Sequence, residues 1–190
     1  LSPFTKENKS NFNKFPGYSY HINAFEFGKS LRDNTPLERY TEVKGIVKHV
    51  EYDNNGVKNI TLDDGSTMSA DLYIDCSGFK RVLIDKLTTF TKYEKLINNA
   101  AIWGEVKHQS YKPSTIAAAQ NYGWIWETPT WGRIGTGFVY CDDFLSVDDA
   151  EIHMQKHWKS KGLEWIPEKS VKFTGGSLDN IAVKNVISNG

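Results

Sequence analysis

Apolar residues fall in short runs along this chain, and clusters of Asn, Asp, Gly and Pro separate the runs. Val43 to Tyr52 keeps period two, with Ile46, Lys48, Val50 and Tyr52 on one face, and predicts a strand. Asp53-Asn54-Asn55-Gly56 is a hairpin turn, and Val57 to Leu62 is the returning strand. Asp63-Asp64-Gly65 turns again, and Ser66 to Ser69 is a short third strand. The meander leads into Leu72 to Ile74, which reads as a short buried strand. It stops at Ser77-Gly78, and Phe79 to Leu87 reads as a helix. Strand, small-residue turn and helix together let a backbone approach a ligand closely, although taken alone the stretch reads as an ordinary strand-to-helix corner.

Flanking segments complete the pattern. Leu1 to Gly17 reads as loop and Tyr18 to Ile22 as a short aromatic strand. Asn23 is an N-cap with Glu26 as its capping-box partner, so a helix should run from Ala24 to about Asp33 and bury Phe27 and Leu31. Asn34-Thr35-Pro36 ends it. Ala100 to His108, Thr115 to Gln120, Gly123 to Glu127 and Arg133 to Tyr140 predict an antiparallel sheet. Ser146 starts a further helix, with Val147, Ala150, Met154 and Trp158 on one face and Gly162 as C-terminal cap. Val171 to Thr174 and Ile181 to Ile187 predict two closing strands. The expected fold class is α/β with an antiparallel second sheet. A composition shift divides it into 1–95 and 96–190.

Composition narrows the function classes. Lys+Arg 23 against Asp+Glu 23 leaves no net charge, so there is no global case for nucleic acid or an anionic membrane. No apolar run approaches the ~20 residues of a membrane span, and the N-terminus has no apolar signal segment. Cys76 and Cys141 lack metal-type spacing, and a reducing cytoplasm is the expected location. Asn8-Lys9-Ser10 and Asn59-Ile60-Thr61 are chance glycosylation patterns. The opening Leu1 and the strand-like end, broken off at Asn189-Gly190, read as an internal piece of a longer protein.

Trp124-Ile125-Trp126-Glu127-Thr128-Pro129 is the most unusual stretch. Two tryptophans two apart on a strand share a face. Alone, they read as a core or interface pair. Gly132-Arg133-Ile134-Gly135-Thr136-Gly137 follows at once. Tyr18-Ser19-Tyr20-His21 and Asp75-Cys76-Ser77-Gly78 precede it in order. Other candidates are weaker. Gly132 to Gly137 has the wrong order for a phosphate-binding fingerprint. His153 and His157 are four apart, but without the glutamate of a zinc protease they read as a solvated helix face. Cys76 has no basic neighbour to activate it and reads as structural. His21 reads as packing.

This set resembles the flavin-dependent halogenases of the tryptophan halogenase family. Trp124, Trp126 and Pro129 match the family's Trp-x-Trp-x-Ile-Pro motif, with Thr128 in place of Ile. Asp75 to Gly78 match its Asp-Cys-Ser-Gly strand end, and Gly132 to Gly137 its Gly-Arg-x-Gly-x-Gly strand. The resemblance is colinear from about Tyr18 to Gly190. It implies part of an FAD-binding fold, reduced FAD and a halide ion as cofactors without a metal, and hypohalous acid as the oxidant of an electron-rich aromatic. It implies that Val43 lies against the adenine, that Cys76, Ser77 and Gly78 approach the FAD, and that Trp124, Trp126 and Pro129 shape the halogenase site. The family's pyrophosphate-binding turn and its catalytic Lys and Glu are expected outside these residues, so no catalytic residue is assigned. Ser177 and Ala182 stand where the family often has Arg and Trp, which weakens the inference that the substrate is free tryptophan. Implied partners are a small aromatic substrate and a separate flavin reductase, with a homodimer possible in the family. The alternatives are a flavin monooxygenase and a non-catalytic flavin- or ligand-binding module.

Overall fold

The computed structural model describes residues 20–110, 112 and 114–189. Leu1 to Gly17, the Asn8 sequon, Tyr18 and Ser19 lie outside the described residues. The chain divides into two compact units. One combines the described part of Leu1–Thr35 with Leu96–Phe173, and the other combines Pro36–Lys95 with Thr174–Gly190.

The first unit is built on a five-stranded antiparallel sheet. Its strands are β6 (Ala100–Val106), β7 (Ile116–Gln120), β8 (Gly123–Thr130), β9 (Arg133–Tyr140) and β10 (Ile166–Lys172), in the order β10-β6-β9-β8-β7. Alternation decides which side chains go inside. Ile102, Val106, Ile125, Ile134, Phe138 and Tyr140 point to one face and are buried there with Ala150, Met154 and Trp158 of helix α2 (Val147–Lys159) and with Trp165. Val147, expected on that face, is exposed at the first turn. The helix starts where the sequence placed it: Ser146 Oγ accepts from Asp149 N at 3.1 Å and donates to Asp149 Oδ2 at 2.6 Å. Ser146→Ala should therefore cost about 1 kcal/mol, measurable by urea denaturation, and a change below a few tenths would show the cap to be idle.

Helix α1 (Ala24–Asn34) also has its predicted cap, Asn23, whose Oδ1 accepts from Phe25 N and Glu26 N. Its expected apolar face is not buried: Phe27 is 51% and Leu31 54% exposed. The spacing that makes a helix amphipathic does not itself supply a surface to cover it. The expected strand over Tyr18 to Ile22 is absent from Tyr20–Ile22, the described part.

The second unit holds a meander of β1 (Val47–Asp53), β2 (Gly56–Leu62) and β3 (Thr67–Met68). A second small sheet has the order β12-β13-β4, and a two-stranded pair joins β5 (Phe90–Lys92) to β11 (Gly176–Leu178). In the former, β12 (Ala182–Val183) and β13 (Val186–Ser188) form a hairpin, and β13 runs parallel to β4 (Tyr73–Asp75). The closing strand expected over Ile181 to Ile187 is thus split, with Lys184 at φ 55 turning the chain between its halves. Val57, Tyr73, Leu83, Ile84 and Val186 form the core.

Three further expectations in this unit are corrected. The first strand begins at Val47, not Val43, because Ile46 N–H donates to the Asp63 carboxylate at 3.0 Å instead of to a strand. The strand expected over Leu72 to Ile74 is offset by one and buries Tyr73 and Asp75, while Leu72 and Ile74 are exposed. Phe79 to Leu87 is not an α-helix. It is a 3₁₀ turn, Gly78–Lys80, followed by further turns. The cause is Asp75, whose Oδ2 accepts from Leu83 N at 2.7 Å and Ile84 N at 3.1 Å and so takes donors a helix would use internally.

Candidate functional site

The residues matched to the FAD site fall in the second unit. Val43 lies ahead of β1, outside any strand, and is about half exposed. Cys76, Ser77 and Gly78 form the corner after β4. Ser77 N–H and Oγ–H both donate to Asp75 Oδ1, at 3.0 and 2.5 Å, and Ser77 Oγ accepts from Val82 N at 2.8 Å. Burial alone pushes the Asp75 carboxyl up, but its donors from Ser77, Leu83 and Ile84 prevail and hold it below 3.8. Ser77 is therefore committed to shaping the corner. Gly78 has φ +60, and nothing lies within 4 Å of where a side chain would begin. Cys76 is exposed, with Asn189 Nδ2 at 4.0 Å from its sulfur, rather than buried as a structural thiol would be. The corner thus presents open backbone at Gly78, next to the exposed Cys76.

The motif residues fall in the first unit, on β8. Trp124 and Trp126 share a face, as alternation requires, with ring centroids 6.0 Å apart and planes inclined at 53°. Trp124 is 38% exposed. Trp126 is half-buried, and its ring lies over Gly137, its register partner on β9; a methyl there would sit 2.2 Å from Cη2. Trp103 is the partner of Gly137 on β6. The Trp126 carbonyl accepts from the buried Thr136 hydroxyl at 2.6 Å. Pro129 does not join the tryptophans: it is buried on the other face. Its carbonyl accepts from His21 Nδ1–H at 2.7 Å, while His21 Nε2 accepts from Thr115 at 3.3 Å. His21 therefore packs against the motif's end, as its sequence context suggested.

Glu127 was not among the expected site residues. It is 5% exposed on the helix-covered face. Its Oε1 accepts from Lys161 and from His157 Nε2, the latter at 3.4 Å. Burial pushes this carboxyl up, and the Lys161 hydrogen bond and charge, with His157 behind, more than offset it. The solvated face expected for His153 and His157 is thereby corrected. His153 stacks on Phe138 at 5.0 Å and donates to Gln120 Oε1 at 2.9 Å, and His157 meets Glu127. The strict alternation of β8 was the signal for Glu127, since a residue following an outward Trp126 must point inward. Among the described residues no group of three or more His, Cys, Asp or Glu could hold a metal, and no helix is long and apolar enough to cross a membrane.

The fold is similar to that of solved flavin-dependent halogenases. One is BrvH from Brevundimonas sp. BAL3, at TM-score 0.75 and 26% identity over 89% of this chain and 36% of that one. The VirX1 structure superposes at TM-score 0.80 and 28% identity, covering 98% of this chain and 39% of its own. The chain belongs to the tryptophan halogenase family, whose model matches residues 2–190. Curated relatives include the tryptophan 7-halogenase RebH of Lentzea aerocolonigenes, 31% identical over 93% of this chain. Another is the tryptophan 6-halogenase ThaL of Streptomyces albogriseolus, 30% identical over 91% of it. The chain spans 35% and 34% of their lengths, about a third.

Proposed function

We propose that the protein to which these residues belong is a flavin-dependent halogenase that chlorinates or brominates an electron-rich, indole-like aromatic. The observation that carries this reading is the pair Trp124 and Trp126 on the sheet face opposite the helix, with Trp126 seated on Gly137. Reduced FAD, supplied by a separate flavin reductase in the cytoplasm, provides with dioxygen the oxidising power that converts halide to hypohalous acid. Val43, Cys76, Ser77 and Gly78 would lie against that cofactor. Gly78 leaves room for the approach, and Asp75 holds the corner in shape through Ser77. The tryptophans line the oxidant's route and exclude water from it. Hypohalous acid held in place reacts with a ring, whereas oxidising equivalents from reduced flavin and dioxygen that halide does not capture would leave as free hydrogen peroxide with oxidised flavin. No metal is required. Pro129 supports the strand from the buried side.

Residues 1–190 alone should make no halogenated product and bind FAD weakly at best, because no glycine-rich turn leading into a helix N-terminus occurs among the described residues. In the full-length protein, supplied with FAD, a flavin reductase, bromide or chloride and tryptophan or indole, halogenated product is expected. Trp126→Phe should lower it about 10-fold or more while leaving the melting temperature and bound FAD nearly unchanged. A hydroxylated product would make the protein a monooxygenase. Flavin binding without product would make it a binding module. Parallel loss of stability and product in Trp126→Phe would return the tryptophans to a core role.

A further inference from the structure

Trp126 and Glu127 are adjacent on β8 and point to opposite faces. Three holds on this point of the strand stand out. The Trp126 carbonyl takes the Thr136 hydroxyl. Its ring rests on Gly137. Glu127 is tied to the C-terminal end of α2 and the turn just beyond it by two cationic or potentially cationic groups, His157 and Lys161. Lys161 is itself fixed, with Nζ 4.4 Å from the centroid of the Trp158 ring, and His157 meets the same ring edge-on at 5.4 Å. A buried carboxylate with charged partners resists displacement, because any move leaves a charge unpaired in a dry site. Its worth is geometric, since a well-packed apolar substitute could supply equal stability.

We propose that Glu127, clamped by Lys161 and His157, is the positioning residue for Trp126, so that helix α2 sets the tryptophan's place on the opposite face of the sheet. The idea deepens the halogenase reading and rests on it for its catalytic consequence. Glu127 touches no substrate; it acts through the strand.

The clamp is sensitive to acid. Glu127 is faced by Lys161 and His157, with the Lys112 charge further off, and His157 is faced by Glu127, Lys161 and His153. Burial, reinforced by the Lys161 charge, holds His157 below the ordinary 6.5. Because the folded-state value lies below the unfolded one, the stability contributed by neutral His157 is whole above 6.5. It declines as pH falls from there through the folded value; protonation then adds a second cation beside Lys161 and changes the balance of forces on Glu127. Glu127 protonates further down, below 4.5.

The test uses the full-length protein and two readouts. The first is the Trp126 share of the fluorescence, taken as the difference from a Trp126→Phe background. The second is halogenated product per free peroxide. The Trp126 share should shift as pH falls below 6.5 and through the folded-state value of His157, and in His157→Gln the acid shift should vanish. Glu127→Gln should displace the Trp126 signal at neutral pH and lower the product-to-peroxide ratio about 3- to 10-fold with bound FAD unchanged. Lys161→Arg should restore what Lys161→Met loses. Met154→Ala, which opens the same helix–sheet core without touching the clamp, should lower the melting temperature but leave the ratio alone.

If Met154→Ala moves the ratio as far as Glu127→Gln does, the clamp is ordinary core and the proposal is overturned. An unchanged Trp126 signal across the clamp variants and across pH overturns it as well. If wild type makes no halogenated product while the Trp126 signal still follows the clamp, the halogenase reading fails and the positioning stands. A productive wild type matched by Glu127→Gln in both readouts keeps that reading and removes the clamp.

Discussion

Asp75→Ala should destabilise the unit formed by Pro36–Lys95 and Thr174–Gly190 by about 3–5 kcal/mol. The carboxylate is 3% exposed and accepts four hydrogen bonds, from Ser77 N, Ser77 Oγ, Leu83 N and Ile84 N. Leu83 and Ile84 are both buried, so their N–H groups cannot turn to water when the acceptor goes. Each orphaned buried donor costs about 1–3 kcal/mol, and the Ser77-Gly78 corner loses its brace as well. Asp75→Asn should cost less, because one oxygen remains as an acceptor. The pH dependence has a definite sign. Asp75 is held below 3.8 in the folded chain, so its stabilisation is present above 3.8 and is lost as pH falls through the folded value. Urea denaturation of wild type and both variants at neutral and acid pH measures this. A difference of about 0.5 kcal/mol or less for Asp75→Ala would show that the corner holds itself.

Gly137→Ala is the second large effect. A methyl at Gly137 would stand 2.4 Å from the Ile102 carbonyl oxygen and 2.2 Å from the Trp126 ring. Backbone cannot retreat in the middle of a five-stranded sheet, so ring and strand must both move. About 2–3 kcal/mol or more of stability should be lost, with a changed near-ultraviolet tryptophan signal. Gly135→Ala, two residues away on the same strand, is the control. Its nearest neighbour is the Thr128 carbonyl oxygen at 3.8 Å, an ordinary contact, so it should be neutral or slightly stabilising. Equal behaviour of the two alanines would mean that Trp126 does not depend on the gap at Gly137.

Local rules carried the sequence a long way in the antiparallel sheet. Arg133 to Tyr140 was read to the residue, and the caps Asn23 and Ser146 stand where their side chains put them. The shared face of Trp124 and Trp126 followed from alternation alone. What the sequence hid was set by partners far along the chain. Nothing near Phe90 announces that it will pair with Leu178, and nothing near Ile166 shows that it will lie beside Glu105. The turn after Gly78 looked helical because its competitor for the backbone donors, Asp75, sits eight and nine residues upstream of them. Glu127 was legible in principle, since strict alternation turns it inward. Its partners on and beyond α2 were not, because helical spacing alone does not say which flank of His157 meets a sheet.

The interleaving of the two units also orders events during synthesis. Strand β4 is made early, yet its parallel partner is Val186–Ser188. Asn185, beside that partner, also closes the first hairpin: its side chain accepts from Val57 N–H at 2.9 Å and donates to Val57 O at 2.8 Å, and its carbonyl accepts from Tyr73 N–H at 2.8 Å. As the chain leaves the ribosome, β7, β8 and β9 can pair with near neighbours as soon as they emerge. The unit formed by Pro36–Lys95 and Thr174–Gly190 must wait with β4 unpaired until the segment around Asn185 arrives. Closing so long a loop costs entropy before any contact repays it, so this docking should be the slow step. A pause or truncation before Asn185 would leave β4 exposed as an open edge on a half-made protein, the kind of surface that chaperones bind and that aggregates grow from.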